Sequence, residues 1–278
     1  MRKVLTIAGS DSCCGAGVQV DLKTINALGA YGTCVITAVT AQNTLGVSSA
    51  FKIPATFVGQ QIDAVISDIG VDALKTGMLT NEKVVEIVSA RVSRHKLKNL
   101  VVDPVIKSHY GERLLTTNGV KKLISNLIPL AYLVTPNIPE AETLTGMKIK
   151  SLPDMKDAAK CIFELGAENV LIKGGHITSE GNRDYFSKVE VADFLYDGKS
   201  FETFEEKRVK TENVHGTGCI YSAAIAAELA NGNNLMNSIT NAKKFVTEIL
   251  KNPLTLGKGY KLAPFGNQFM SENIVDFL

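Results

Sequence analysis

The chain has 278 residues, 45% hydrophobic and 21% charged, enough to bury a substantial core. Its 30 basic and 28 acidic residues leave a formal charge of +2, and no Lys/Arg cluster alternates with aromatics, which argues against a nucleic-acid partner. Five scattered cysteines without a CxxC pair exclude a disulfide framework and a cysteine-rich zinc site, and no apolar run approaches the ~20 residues that cross a bilayer; the expectation is a cytoplasmic protein with no membrane partner.

Short β-branched runs alternate with helix-period segments along nearly the whole chain, the pattern of an α/β fold with a mostly parallel sheet. "KVLTIAG" is the first strand candidate, ending at Gly9, and Val18, Leu22 and Ile25 define a helix that stops near Gly29. "TCVITAVTA" (33–41) reads as a buried strand, apolar on both faces. A helix around 56–68 leads to the strand "DALKTG" (72–77), and Val84, Val85, Val88 and Val92 mark one side of the next helix. The strand in "NLVVDPV" (99–105) should end at Asp103, because Pro104 cannot donate to a ladder.

A helix carrying Val120, Leu123, Ile124 and Leu127 leads to "AYLVTPN" (131–137), where Pro136 closes a strand. After a helix around 154–165, "ENVLIKGGH" (168–176) again runs an apolar strand into glycines. From 183 to 209 the period changes to two, and Asp197-Gly198 joins two such stretches into a hairpin at one sheet edge. Helices opening at about Gly216 and around 235–250 follow. No linker or repeat divides the chain, so residues 1–278 are read as a single domain.

In open α/β sheets ligands lie beyond the carboxyl ends of the strands, and the residues there carry coherent chemistry. "HGTG" before a helix suits an anion cradle, with glycines admitting backbone amides and the helix N-terminus supplying positive potential; a turn that merely needs positive φ is the plainer alternative. Cys219 lies in the first helical turn, where unpaired amides and the dipole should lower its thiol pKa, although cysteine is also a small core hydrophobe. Asp103 and Glu140 could hold Mg²⁺ directly or through waters while a triphosphate supplies other ligands, or could serve as caps and surface charges. Lys173 is either a phosphate-neutralising cation or a snorkelling strand-end lysine. His95 reads as a solvated helix end and His109 as part of a polar loop, while His176 and His215 adjoin the glycine turns as ligand contacts or loop braces. Met78 is a pocket wall or packing. Cys13 and Cys14 fit a small-residue turn.

"AGSDSCCGAGVQVDLKTINALGAYGTCVITAVTAQNTLGV", followed in order by "LKTGML", "VVDPV", "TPNIPEAE", "LIKGGH" and "HGTGC", resembles the hydroxymethylpyrimidine/phosphomethylpyrimidine kinases of thiamine biosynthesis, in the ribokinase-like superfamily, over roughly residues 3–265. The resemblance implies a three-layer α/β/α fold, a homodimer, and ATP with Mg²⁺. It also implies transfer of the ATP γ-phosphate to the hydroxymethyl oxygen of 4-amino-5-hydroxymethyl-2-methylpyrimidine and then a second transfer onto the monophosphate. By the same resemblance Gln42 would hydrogen-bond the pyrimidine, and Gly9, Asp21, Met78 and Val105 would shape its pocket. Asp103 and Glu140 would organise Mg²⁺ with Asn137 beside them, and Lys173 and His215 would meet the nucleotide side. The amides of Gly216, Thr217, Gly218 and Cys219 would form the anion hole, and Cys219 would accept the substrate proton. Here "SCCGAG" stands where the family usually has "SGGGAG", and Val214 where it usually has Thr. A pyridoxal/pyridoxine/pyridoxamine kinase is the nearest rival reading, and a non-catalytic vitamer-binding regulator comes from another class. A dinucleotide-dependent dehydrogenase fails because no GxGxxG follows the first strand.

Overall fold

A computed structural model describes residues 1–108, 111–174, 190–211 and 214–265. His109, His176 and the first residues of the expected hairpin region lie outside them. The strands are β1 (Lys3–Ser10), β2 (Tyr31–Asn43), β3 (Gly46–Lys52), β4 (Ala73–Thr76), β5 (Leu100–Val102), β6 (Leu133–Val134), β7 (Val170–Ile172), β8 (Glu190–Tyr196) and β9 (Phe201–Lys207). They form one sheet in the order β3-β2-β1-β4-β5-β6-β7-β8-β9. The pairs from β2 through β7 are parallel, and the antiparallel strands β3, β8 and β9 extend the two edges. The mostly parallel α/β architecture is therefore as expected.

The helices are α1 (Gly17–Ala27), α2 (Ala55–Asp68), α3 (Glu82–Arg94), α4 (Thr117–Lys122), α5 (Ile138–Thr145), α6 (Leu152–Glu164), α7 (Thr217–Ala230) and α8 (Leu235–Lys251). Because successive strand residues face opposite ways, each parallel strand feeds two cores. Leu5, Ile7, Leu100, Val102 and Ile172 pack with α2, α3 and α6 on one face. Val4, Val101 and Leu171 pack with α1, α7 and α8 on the other. The result is three layers. Helix α7 has no polar stripe to spare, since every residue from Ile220 to Ala230 is buried, which fits a helix wedged between the sheet, α1 and α8.

Three elements differ from the sequence expectation. Strand β3 was unforeseen because "GVSSAFK" is mostly exposed at the sheet edge and carries no core pattern. Helix α5 falls where the sequence pattern assigns no element between Pro136 and the helix around 154–165; Asn137 and Glu140 close a reciprocal capping box and a proline occupies its first turn. The expected helix through Val120 and Leu127 runs as α4, then a π-helical turn (Leu123–Leu127) and a 3-10 turn (Ile128–Leu130). Pro129 lacks the N–H that would continue the α-ladder, so the helix ends by changing its hydrogen-bond register. The hairpin of β8 and β9 turns at Asp197, whose carboxylate accepts the Lys199 and Ser200 amides at 2.8 and 2.7 Å.

Candidate active site

A cleft of about 690 Å³ lies over the carboxyl ends of the parallel strands and the N-terminus of α7. Its lining includes Gly9, Gln42, Met78, Val105 and His215 at one end, Asp103, Asn137, Glu140, Lys173 and residues 216–219 in the middle, and Asp193, Lys243 and Thr247 beyond. Nearly every residue singled out in the sequence therefore meets in one space.

The middle is built around Lys173, where β7 ends. Its ammonium donates to Asp103 Oδ1 at 2.9 Å, and Asp103 Oδ2 accepts from Ser222 Oγ on α7 at 3.2 Å. Burial disfavours the ammonium, but the charges of Asp103 and Glu140 outweigh it and raise the Lys173 pKa. Glu140 is the opposite case. Burial pushes its carboxyl up to about 7, with Lys173 opposing and Asp103 reinforcing the shift. Its Oε2 accepts the Asn137 amide at 2.8 Å while Asn137 Oδ1 accepts the Glu140 amide at 2.9 Å. Both residues thus cap α5 and face the cleft at once.

Beside Lys173 the first turn of α7 opens with Gly216 as its N-cap, at φ +80°. A Cβ there would stand 1.9 Å from the carbonyl oxygen of Gly15, so any side chain is excluded by conformation and by contact. A Cβ on Gly218 would instead reach open cleft, 3.5 Å from Lys173 Nζ. Amides without intrahelical partners and a lysine ammonium so border the same small volume, the arrangement an oxyanion selects. Thr217 Oγ1 donates back to the Val214 carbonyl at 2.9 Å and braces the turn.

Two expectations are corrected. Cys219 was expected to have a lowered pKa, but burial pushes its thiol up to about 11; Lys75 pulls the other way, and the carboxylates of Asp21 and Asp103 add to the rise. Removal from water outweighs the helix terminus, so the group is a thiol at neutral pH. Asp21 was expected to shape the pocket, but it is fully buried beneath the floor. It accepts both Lys75 Nζ bonds, at 3.0 and 2.8 Å, and one from Thr6 Oγ1 at 2.6 Å. Burial works against the Lys75 ammonium, yet the charge of Asp21 more than offsets it and raises the Lys75 pKa. The same Lys75 lies under Gly77, where a Cβ would come 3.0 Å from Nζ.

At the other end Gln42 Nε2 lies 2.9 Å from His215 Nε2, which is also 3.1 Å from Asp11 Oδ2. His215 is a brace and a cleft wall together. Gly9 leaves room for Met78, whose Cε would otherwise meet a Cβ at 2.1 Å. Asp11, Lys75 and Ser222 escaped the sequence reading. For Asp11 a signal existed, since an aspartate between a strand and a glycine-rich turn commonly gathers amides, here those of Cys13, Gly15 and Ala16 at 3.0, 3.1 and 2.8 Å. Hydrogen bonds from His215 and Cys13 overcome the burial penalty and lower its pKa.

The phosphomethylpyrimidine kinase family model matches residues 11–263. A bifunctional thiamine biosynthesis protein of Geobacter sulfurreducens is 44% identical over 98% of this chain, which spans only 54% of that protein. The hydroxymethylpyrimidine/phosphomethylpyrimidine kinase of Bacillus subtilis is 43% identical over 93% of this chain and 92% of its own length. Among solved structures, a phosphomethylpyrimidine kinase from Clostridium difficile is 40% identical with a TM-score of 0.77, covering 89% of this chain and 99% of that one. A pyridoxal kinase from Staphylococcus aureus in complex with AMP-PCP and pyridoxal is 34% identical with a TM-score of 0.84, covering 96% and 94%.

Glu140 yields a pH prediction. Its folded pKa, raised from 4.5 to about 7, means that folding favours the protonated form. The stability it contributes is full below pH 4.5 and lost as pH rises through 7. Glu140→Gln keeps an acceptor for the cap and removes the titration. In magnesium-free denaturant titrations the variant should therefore show a flatter stability profile across this range; a profile as steep as wild type would contradict the assignment.

Proposed function

The chain belongs to the phosphomethylpyrimidine kinase family, and from that premise we propose that it transfers the γ-phosphate of ATP to the hydroxymethyl oxygen of 4-amino-5-hydroxymethyl-2-methylpyrimidine and then phosphorylates the monophosphate. The observation that carries this reading is that the first turn of α7 and the Lys173 ammonium border open cleft side by side, in one cleft with Gln42. Phosphoryl transfer asks a protein mainly for positioning and charge neutralisation. Here the amides of residues 216–219 and Lys173 would bind the transferring phosphate, and Gln42 would orient the ring through its paired donor and acceptor. Gly9, Met78 and Val105 would form the walls, as cleft-lining residues at that end.

Two buried carboxylates facing one ammonium suit a hard divalent cation, and Glu140, whose burial resists ionisation, would gain from one. Asp103 and Glu140, with Asn137 beside them, would hold Mg²⁺. Both Asp103 oxygens are already engaged, by Lys173 and Ser222, so water-mediated contact suits it better than direct coordination. When bound, Mg²⁺ would neutralise charge on the phosphate oxygens.

The protonated Cys219 thiol is not a standing base. Its role under this reading is to position the acceptor hydroxyl by a hydrogen bond, while the hydroxyl proton passes to a phosphate oxygen as the bond to phosphorus forms. In a loose transition state that transfer is late, and the contribution correspondingly modest. Cys219→Ala should lower kcat by about tenfold to 10²-fold with little change in the KM for ATP. Wild-type turnover would remove the role.

The same reading makes the chain one catalytic domain, supported by a sheet that takes in all nine strands among the described residues, and a cytoplasmic protein, supported by five free cysteines. No described helix is long and apolar enough to cross a membrane. It also makes the protein a homodimer, supported by the apolar side chains exposed on and beside β3, with Phe51 69%, Leu45 60% and Phe57 53% accessible.

A coupled ADP-release assay with the hydroxymethylpyrimidine, its monophosphate and pyridoxal in parallel tests the activity. ADP release with the first two, and a higher kcat/KM for the pyrimidine than for pyridoxal, is expected. Preference for pyridoxal would favour the rival kinase, and ligand binding without ADP release a vitamer-binding regulator. For assembly, light scattering should give a dimer that Phe51→Glu converts to monomer; a monomeric wild type would refute it.

A further inference from the structure

Along the cleft wall, next to Gln42 and the turn that opens α7, three different metal-ligating groups converge. Asp11 Oδ2 lies 3.4 Å from Cys13 Sγ and 3.1 Å from His215 Nε2. All three ligand atoms fall within 4.8 Å of one another. A tetrahedral Zn²⁺ bound at about 2.3 Å to sulfur and about 2.0 Å to nitrogen and oxygen holds its ligand atoms roughly 3–4 Å apart. Both distances to the carboxylate already fall in that window.

The donors are also held in place. Asp11 is 2% exposed and pinned by three backbone amides, and His215 is 7% exposed. His215 Nε2 faces both the Asp11 carboxylate and the Gln42 amide nitrogen. One ring nitrogen carries either a hydrogen or a lone pair, so it satisfies only one of these neighbours as placed. A cation between Nε2 and Oδ2 would take the Nε2 lone pair and share Oδ2 with the Gly15 and Ala16 amides that already donate to it. The other ring nitrogen, Nδ1, is buried with no hydrogen-bond partner among the described residues, and is thus open to carry the ring proton.

We propose that Asp11, Cys13 and His215 form a binding site for a thiophilic divalent cation of the zinc class. Thiolate, imidazole and carboxylate together match that class better than they match Mg²⁺ or Ca²⁺, which select oxygen alone. On binding, the Cys13 S–H bond is exchanged for a sulfur–metal bond and the thiol proton leaves to solvent. A proton carried on Nε2 moves to Nδ1. No electron is transferred, and three protein ligands leave the fourth tetrahedral position open. Metal on Nε2 would also take that nitrogen away from Gln42, so occupancy would alter the wall of the cleft.

The test is titration of the full chain with Co²⁺, an optical probe for zinc sites. One equivalent should produce a near-ultraviolet thiolate-to-cobalt charge-transfer band that Zn²⁺ abolishes by displacement. Cys13→Ser and Cys13→Ala should both lose the band and bind Zn²⁺ at least tenfold more weakly, with circular dichroism unchanged, while Cys14→Ser keeps it. Absence of the band in the wild type, its survival in the Cys13 variants, or its dependence on Cys14 instead would overturn the proposal.

Discussion

Two backbone turns, one after β1 and one before α7, approach so closely that no side chain fits between them. Gly216 sits against the carbonyl of Gly15, and Gly17, at φ +62°, sits against the carbonyl of Gly9, where a Cβ would come within 2.3 Å. The rest of the cleft follows from this contact. It fixes the N-terminus of α7 over the end of the first strand, brings His215 against Asp11, and turns the first α7 amides toward Lys173. Segments distant in the chain thereby act as one rigid rim, as a preorganised oxyanion site requires.

Charge is arranged around that rim in buried pairs. Lys75–Asp21 lies beneath the floor, Lys173–Asp103 in the middle, and Lys243–Asp193 at the far end, with N–O distances of 2.8, 2.9 and 2.6 Å. Desolvation makes such pairs poor sources of net stability, while removal of one partner strands the other charge. Their positions follow the cleft rather than the apolar cores. Asp193 also accepts the Gly174 amide at 2.9 Å, tying the hairpin to the strand end that carries Lys173. The same low-polarity surroundings that strengthen these pairs keep Cys219 protonated, so positioning and cationic neutralisation carry the chemistry ahead of any thiolate.

Much of this was readable from residue order, because parallel strands buried on both faces are written as apolar runs and end at Pro or Gly. Asp103 before Pro104 and Lys173 before Gly174 were found that way, and both face the cleft. What escaped depends on partners distant in sequence. The partner of Asp21 is 54 residues away in Lys75, and nothing local says whether such a helix carboxylate points into a pocket or under it. Helix α5 has only eight residues and a weak apolar pattern, so the cap reading open for Glu140 did not by itself reveal it; the fold uses "NIPE" as a capping box at the cleft wall. The Cys219 pKa depended on burial, which a helix-terminus argument cannot supply.

The central claim is that the space beside Lys173 and the α7 amides exists to receive the transferring phosphate. Gly218→Val tests it directly, since position 218 has no positive-φ requirement and lies within α7, so the fold should tolerate the side chain that the phosphate would not. Steady-state phosphorylation of the hydroxymethylpyrimidine, with Tm measured alongside, is the decisive experiment. Expected are a Tm near that of wild type and a loss in kcat/KM of at least about 10²-fold, as for removal of an oxyanion donor. A variant that folds and turns over at the wild-type rate would contradict it.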